Sequence, residues 1–143
     1  MWSIHHRGTE ANPGLVLALD EEAGAYCDGM AFCLPADGHD AILADLRERE
    51  LISSAYYEHV VALTLRDGRR IEALAYIVAR DHRQYCGGLS PARQAEVIAA
   101  AHGGRGPNAE YLYNTAGHLC ELGIEDADLS ALAQRVRVLS EKS

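Results

Sequence analysis

The dipeptide Asp67-Gly68 constrains the fold of this 143-residue chain more than any other feature, because it lies between two segments of alternating side chains. Glycine readily supplies the positive φ that a tight turn between antiparallel strands requires. Both flanking segments place aliphatic residues at alternate positions, which is typical of strands with one covered face. The sequence therefore predicts a β-hairpin with strands over residues 56–66 and 69–79.

Strand and helix patterns elsewhere complete the predicted architecture. Strand-forming residues favour a second hairpin, and apolar residues at helical intervals favour four helices. The predicted segments are strands 14–19 and 25–34, a helix that Asp37 or Asp40 can cap and that ends near Glu50, and helices 91–102, 108–122 and 128–139. Because strands come first and helices afterwards, we predict one α+β domain over residues 1–143, with a small antiparallel, barrel-like sheet.

Charge and composition exclude several classes of partner. A formal net charge of −8 and a pI near 5.3 would repel phosphate backbones and anionic lipid, so neither nucleic acid nor a membrane is expected as a partner.

The four cysteines show no C-x-x-C spacing and follow no signal peptide, which favours a reducing cytoplasm. The scattered histidines match no zinc pattern, and a G-x-S-x-G elbow is absent, so neither a metal site nor a serine hydrolase is expected.

Glu50 is the candidate for proton transfer, because its carboxylate falls where the first predicted helix ends. At a helix C-terminus the unpaired carbonyl groups disfavour the ionised form of a carboxylate, and we expect them to raise the pKa of Glu50. A general base working near neutral pH benefits from such a shift. The alternative interpretation is a surface ion pair between Arg47 and Glu50, which are three residues apart on a charged helix face.

Four segments, taken together and in order, point to a known family. They are His6-Arg7-Gly8-Thr9 with Pro13 to Leu17, then Leu46 to Glu50, then Gly106-Pro107-Asn108 with Glu110-Tyr111-Leu112, and finally Leu122-Gly123-Ile124. With these segments the chain resembles the ChaC-type γ-glutamylcyclotransferases, lyases that cleave glutathione to 5-oxoproline and cysteinylglycine. The resemblance implies a small β-barrel with flanking helices, a cytoplasmic enzyme without cofactors, and a small γ-glutamyl substrate as its partner.

The resemblance also assigns roles to individual residues. Glu50, preceded by Arg49, matches the catalytic glutamate of the family, which serves first as general base and then as general acid. Substrate contacts are implied for Arg7, Tyr56, Asn108 and Tyr111. Residue by residue, alternatives remain: Tyr56 can be a core aromatic residue, Asn108 a helix N-cap and Arg7 an ordinary exposed arginine.

One family segment has no match in this sequence. Family members begin with a strand and loop that read Y-G-S-L, whereas this chain starts at the later H-R-G segment. The resemblance therefore implies a domain that is incomplete at its N-terminus and lacks the first strand. The alternative function is a catalytically impaired relative, which binds a γ-glutamyl or carboxylate ligand or acts through protein pairing. The expected oligomeric state is a monomer or a homodimer.

Overall fold

The computed structural model of the protein describes Met1–Glu141, and the chain divides into two compact units. The first, which we call the terminal unit, takes in Met1–Leu17 and the chain from Cys86 onwards. The second, which we call the hairpin unit, is Ala18–Tyr85. A single domain over residues 1–143 stays a prediction.

Ten elements make up the described part of the chain. In chain order they are β1 (Trp2–Ser3), β2 (Gly14–Leu15), α1 (His39–Leu51), β3 (Tyr56–Thr64), β4 (Arg70–Val78), α2 (Pro91–Ala100), β5 (His102–Gly103), β6 (Gly106–Pro107), α3 (Asn108–Glu121) and α4 (Ala127–Glu141). Among the described residues the strands pair as three antiparallel ladders, β1 with β2, β3 with β4 and β5 with β6. This mixture of helices and antiparallel strands confirms the predicted α+β class.

The β3–β4 hairpin dominates the hairpin unit and confirms the main prediction from sequence. The ladder is regular from its open end, where Tyr56 lies opposite Val78, to the turn. At the turn Gly68 has a φ of 87°, and the Leu65 N–H donates to the Arg69 carbonyl oxygen at 2.8 Å. The turn thus uses the left-handed conformation that glycine adopts without steric cost.

We expect Gly68→Ala to lower the free energy of unfolding by about 1–2 kcal/mol, because a Cβ is disfavoured at positive φ. No heavy atom lies within 4 Å of the position where this Cβ would be, so backbone strain alone accounts for the loss. Urea unfolding measures the effect. Gly29→Ala is the matched control, since Gly29 also has open space around it and lacks a positive φ. Equal stability of the two variants would contradict the prediction.

Two predicted strands before the hairpin are wrong in whole or in part. Residues 25–34 form no strand, because none of the described residues pairs with this segment. Tyr26 and Phe32 are 92% and 80% exposed. The predicted strand 14–19 shortens to β2, because its partner β1 is only two residues long. Further along, Leu19 makes a single parallel bridge to Ile77.

Helix α1 ends at Leu51, close to its predicted end, but its start differs from the prediction. The N-cap residue is Gly38, with a φ of 80°, and no side chain of the described chain caps the helix. The predicted cap by Asp37 or Asp40 is therefore wrong. The Asp40 carboxylate lies 3.3 Å from the His39 ring instead.

The terminal unit holds the main hydrophobic core. Helices α2, α3 and α4 are confirmed near their predicted bounds, and the Ser90 hydroxyl accepts from the Arg93 N–H at the start of α2, as expected of a serine N-cap. Eight buried side chains form the core cluster: Leu15, Ala95, Ile98, Leu112, Leu129, Leu132, Ala133 and Val136. Since Leu15 belongs to this cluster, the core holds β2 against the helices.

Candidate active site

The five site residues predicted from the sequence divide between the two units. Glu50 and Tyr56 belong to the hairpin unit, and Arg7, Asn108 and Tyr111 belong to the terminal unit. The structure brings the last three together, because Arg7 contacts the start of α3, where Asn108 and Tyr111 lie.

Glu50 occupies the last turn of α1, one residue before the helix ends. Its side chain is 29% exposed, and its Oε1 accepts from the Arg49 Nε at 3.1 Å. The guanidinium of Arg47 binds elsewhere, to Glu58. The alternative interpretation of an Arg47–Glu50 surface pair is therefore wrong, because Arg47 binds the Glu58 carboxylate on β3.

Arg47 and Glu58 form a bidentate ion pair between α1 and β3. Arg47 Nε donates to Oε2 of Glu58 at 2.8 Å, and Arg47 Nη2 donates to Oε1 at 2.9 Å. Tyr76, directly opposite Glu58 in the ladder, donates its hydroxyl to the same Oε2 at 3.1 Å. The hydrogen bonds from Arg47, and more weakly from Tyr76, hold the pKa of Glu58 below its usual range.

Three effects hold the pKa of Tyr76 above its ordinary range. Loss of hydration raises the pKa of its hydroxyl most, and the bond that it donates to Glu58 raises it further. The negative charge of Glu50 adds a smaller effect in the same direction. Tyr76 thus stays a hydrogen-bond donor at neutral pH.

Tyr56 begins β3 and is half-buried. Alternate side chains of a strand share one face, so Tyr56 lies on the face that carries Glu58. Its ladder partner Val78 is buried, with 3% exposure. Substrate contact by Tyr56 stays a prediction.

Asn108 is the most enclosed of the predicted residues, with no exposed surface. Its Oδ1 accepts from the Leu15 N–H and its Nδ2 donates to the Leu15 carbonyl oxygen, both at 2.7 Å. The side chain therefore replaces a neighbouring strand along the free edge of β2. Because the amide is bonded to Leu15 and Pro107 is the N-cap residue of α3, the alternative interpretation of Asn108 as a helix N-cap is wrong.

Arg7 is largely covered, since only 17% of its side chain is exposed. Its Nη1 donates to the Pro107 carbonyl oxygen at 3.2 Å and lies 3.8 Å from the Glu110 carboxylate. The guanidinium carbon is 5.8 Å from the centre of the Tyr111 ring, within the range of a cation–π contact. The interpretation of Arg7 as an ordinary exposed arginine is thus wrong.

Tyr111 binds the same chain segment as Asn108, two residues further on. Its hydroxyl oxygen accepts from the Leu17 N–H at 3.1 Å. A phenolic hydroxyl can accept and donate at the same time. The Tyr111 hydroxyl can therefore still donate one hydrogen bond.

Sequence reasoning missed the Arg47–Glu58–Tyr76 network, although one signal was present. The ladder register centres on Asp67, so a residue nine positions before it faces the residue nine positions after it. That register pairs Glu58 with Tyr76. The helix that brings Arg47 to this pair follows no such rule, because its placement depends on tertiary packing.

The described residues offer neither a metal cluster nor a membrane span. Within residues 1–141, no three His, Cys, Asp or Glu side chains converge as metal ligands. None of the helices in that range is long and apolar enough to cross a bilayer.

Comparison with known proteins identifies relatives over nearly the whole chain. The family model described as ChaC-like protein matches residues 1–139. A glutathione-specific gamma-glutamylcyclotransferase of Escherichia coli (strain K12) is 36% identical over 133 residues, which cover 93% of this chain and 57% of that protein. Gamma-glutamylcyclotransferase 2-3 of Arabidopsis thaliana is 30% identical over 146 residues, covering 97% of this chain and 73% of that one.

A solved structure shows the same fold. The crystal structure of a glutathione-specific gamma-glutamyl cyclotransferase from yeast matches with a TM-score of 0.76 and 22% identity, covering 99% of this chain and 83% of that chain. The present chain spans only 57% of the length of its E. coli relative. The resemblance seen in the ordered sequence segments is confirmed: this chain belongs to the ChaC-like protein family.

Proposed function

We propose that the protein is a cytoplasmic γ-glutamylcyclotransferase that converts glutathione to 5-oxoproline and cysteinylglycine. The observation that carries the proposal is the family match over residues 1–139, which includes Glu50 at the end of α1. Relatives from a bacterium, a fish and a mammal carry glutathione-specific names, which supports glutathione as the substrate.

The chemistry needs one group that accepts a proton and returns it. The α-ammonium group of the γ-glutamyl residue must lose a proton before its nitrogen attacks the γ-carbonyl carbon. Attack forms the new C–N bond that closes the five-membered ring, and the ring nitrogen gives its second proton to solvent as it becomes the lactam N–H. The old C–N bond to cysteine breaks as the departing nitrogen takes up the first proton, and solvent then protonates the free amine. We assign both transfers of the first proton to the Glu50 carboxylate. Water is not consumed, and ring closure within one molecule avoids the entropic cost of bringing two reactants together.

The other predicted residues offer different chemistry. Tyr111 can donate its free hydroxyl hydrogen bond to a substrate oxygen, and Arg7 carries a fixed positive charge beside the Tyr111 ring. Asn108 has its amide bonded to Leu15, so we propose that it supports the shape of β2 and contacts no substrate. Tyr56 stays a predicted pocket residue.

An isotope experiment tests the reaction class. In water enriched in oxygen-18, the protein should release 5-oxoproline and cysteinylglycine from glutathione in equal amounts, with no heavy oxygen in either product. Glutathione that is acetylated on its α-amine should not react, because the nucleophile is blocked. Release of glutamate carrying oxygen-18 would show hydrolysis instead. Binding of glutathione without turnover would favour the alternative of a catalytically impaired relative.

A further inference from the structure

Helix α1 carries the proposed acid/base but is weakly held by apolar packing. None of the residues in this fully described helix is buried. Its aliphatic side chains Ile42, Leu43 and Leu46 are only half-buried. Since helices in proteins owe most of their stability to a packed apolar face, α1 needs another contact to fix its direction.

The Arg47–Glu58 pair supplies such a contact. Two parallel N–H···O bonds fix the guanidinium plane relative to the carboxylate, which a single point contact cannot do. Glu58 is itself held, because it belongs to the β3–β4 ladder and accepts a third hydrogen bond from Tyr76. The anchor on the strand side is therefore rigid.

The spacing on α1 transmits this restraint to Glu50. Residues three apart lie on the same side of a helix, about one turn from each other. Rotation or fraying of the last turn at Arg47 would therefore displace the Glu50 carboxylate. A side chain that must reach a substrate amine tolerates little displacement, since an error near 1 Å can cost about 100-fold in rate.

We propose that Arg47 and Glu58 are positioning residues, whose ion pair orients the end of α1 so that Glu50 can transfer protons. This inference rests on the proposed function. The pair acts on the reaction only through the position that it gives to Glu50. Arg47 is half-exposed, and exposed ion pairs contribute little to stability. Replacing Arg47 should therefore lower the rate of turnover more than it lowers the free energy of unfolding.

Arg47→Met tests the proposal against Arg69→Met as a matched control. Arg69 makes an ion pair of the same 2.8 Å length with Asp67, at the turn end of the hairpin that also carries Glu58. We expect Arg47→Met to lower kcat for 5-oxoproline release about 10- to 100-fold with KM changed less than about twofold. Arg69→Met should leave both constants unchanged. Equal kinetics in the two variants would overturn the proposal.

Two further variants separate orientation from charge. Arg47→Lys keeps the positive charge but loses the planar fork, so its kcat should fall between those of Arg47→Met and the unchanged protein. The double variant that combines Glu58→Gln with Arg47→Met should be no slower than the slower of the two single variants, because both substitutions remove the same ion pair. Additive losses, or full activity in Arg47→Lys, would contradict an orienting role.

Amide hydrogen exchange makes the test independent of turnover. Exchange at residues 48–51 should be about tenfold faster in Arg47→Met than in Arg69→Met, because the last turn opens more often. If the protein releases no 5-oxoproline, the proposed function fails, and the exchange rates still decide whether Arg47 restrains α1. Unchanged exchange at these residues would overturn the restraint even in an active enzyme.

Discussion

Glu50→Gln is expected to lower the rate of 5-oxoproline release from glutathione at least about 100-fold, because an amide cannot take up and return the proton. Glutamine preserves the size of the side chain and an oxygen that can accept from Arg49. The fold should therefore be unaffected. Initial rates at several glutathione concentrations separate kcat from KM, and the loss should fall on kcat.

Glu48→Gln provides the control for Glu50→Gln. Glu48 is an exposed glutamate on the same helix, so its replacement removes the same charge two residues away. We expect its rate to stay within about twofold of the unchanged protein, since exposed charges are well screened. If Glu50→Gln is as active as Glu48→Gln, Glu50 is not the acid/base.

Asn108→Ala is expected to lower the free energy of unfolding by about 2–5 kcal/mol, because it leaves the N–H and carbonyl of Leu15 without partners. Both groups belong to a buried residue, and both bonds are 2.7 Å long. Urea unfolding measures the loss. Asn108→Asp keeps the acceptor but loses the donor and adds a buried charge, so it should also be destabilised.

Asn114→Ala is the control for Asn108→Ala, because Asn114 is exposed on the same helix. Its replacement by a better helix former should change the free energy of unfolding by less than about 1 kcal/mol. Similar stabilities of the two alanine variants would show that the bonds to Leu15 contribute nothing. A loss confined to Asn108 supports its proposed structural role.

Local patterns predicted the elements with strong short-range signals. Asp67-Gly68 specifies a turn through the positive φ that glycine adopts, and the helix predicted over residues 91–102 begins with a serine N-cap and a proline of fixed φ. The predicted end of α1 near Glu50 lies one residue from the observed end at Leu51. The strand over residues 25–34 failed because β propensity forms a strand only where another strand pairs with it.

Side-chain roles at the candidate site were harder to predict. Asn108 looked like a helix cap because asparagine often is one, yet its amide binds Leu15, 93 residues earlier in the chain. Arg47 looked like a partner of Glu50, yet it binds Glu58 across the gap between helix and strand. In both cases the side chain binds a residue that is distant in the sequence instead of a nearby one.

The sequence alone determined the β3–β4 hairpin, the helices and the ordered segments that indicate the family, because each depends on residues close together in the chain. The tertiary structure alone decided which partners Arg47, Asn108 and Tyr111 take. Their hydrogen bonds join segments brought together by packing of the core and of the ladder, and no local pattern encodes those distances. Glu50 was thus predicted as the acid/base from sequence, whereas the network proposed to orient it became visible only in the folded chain.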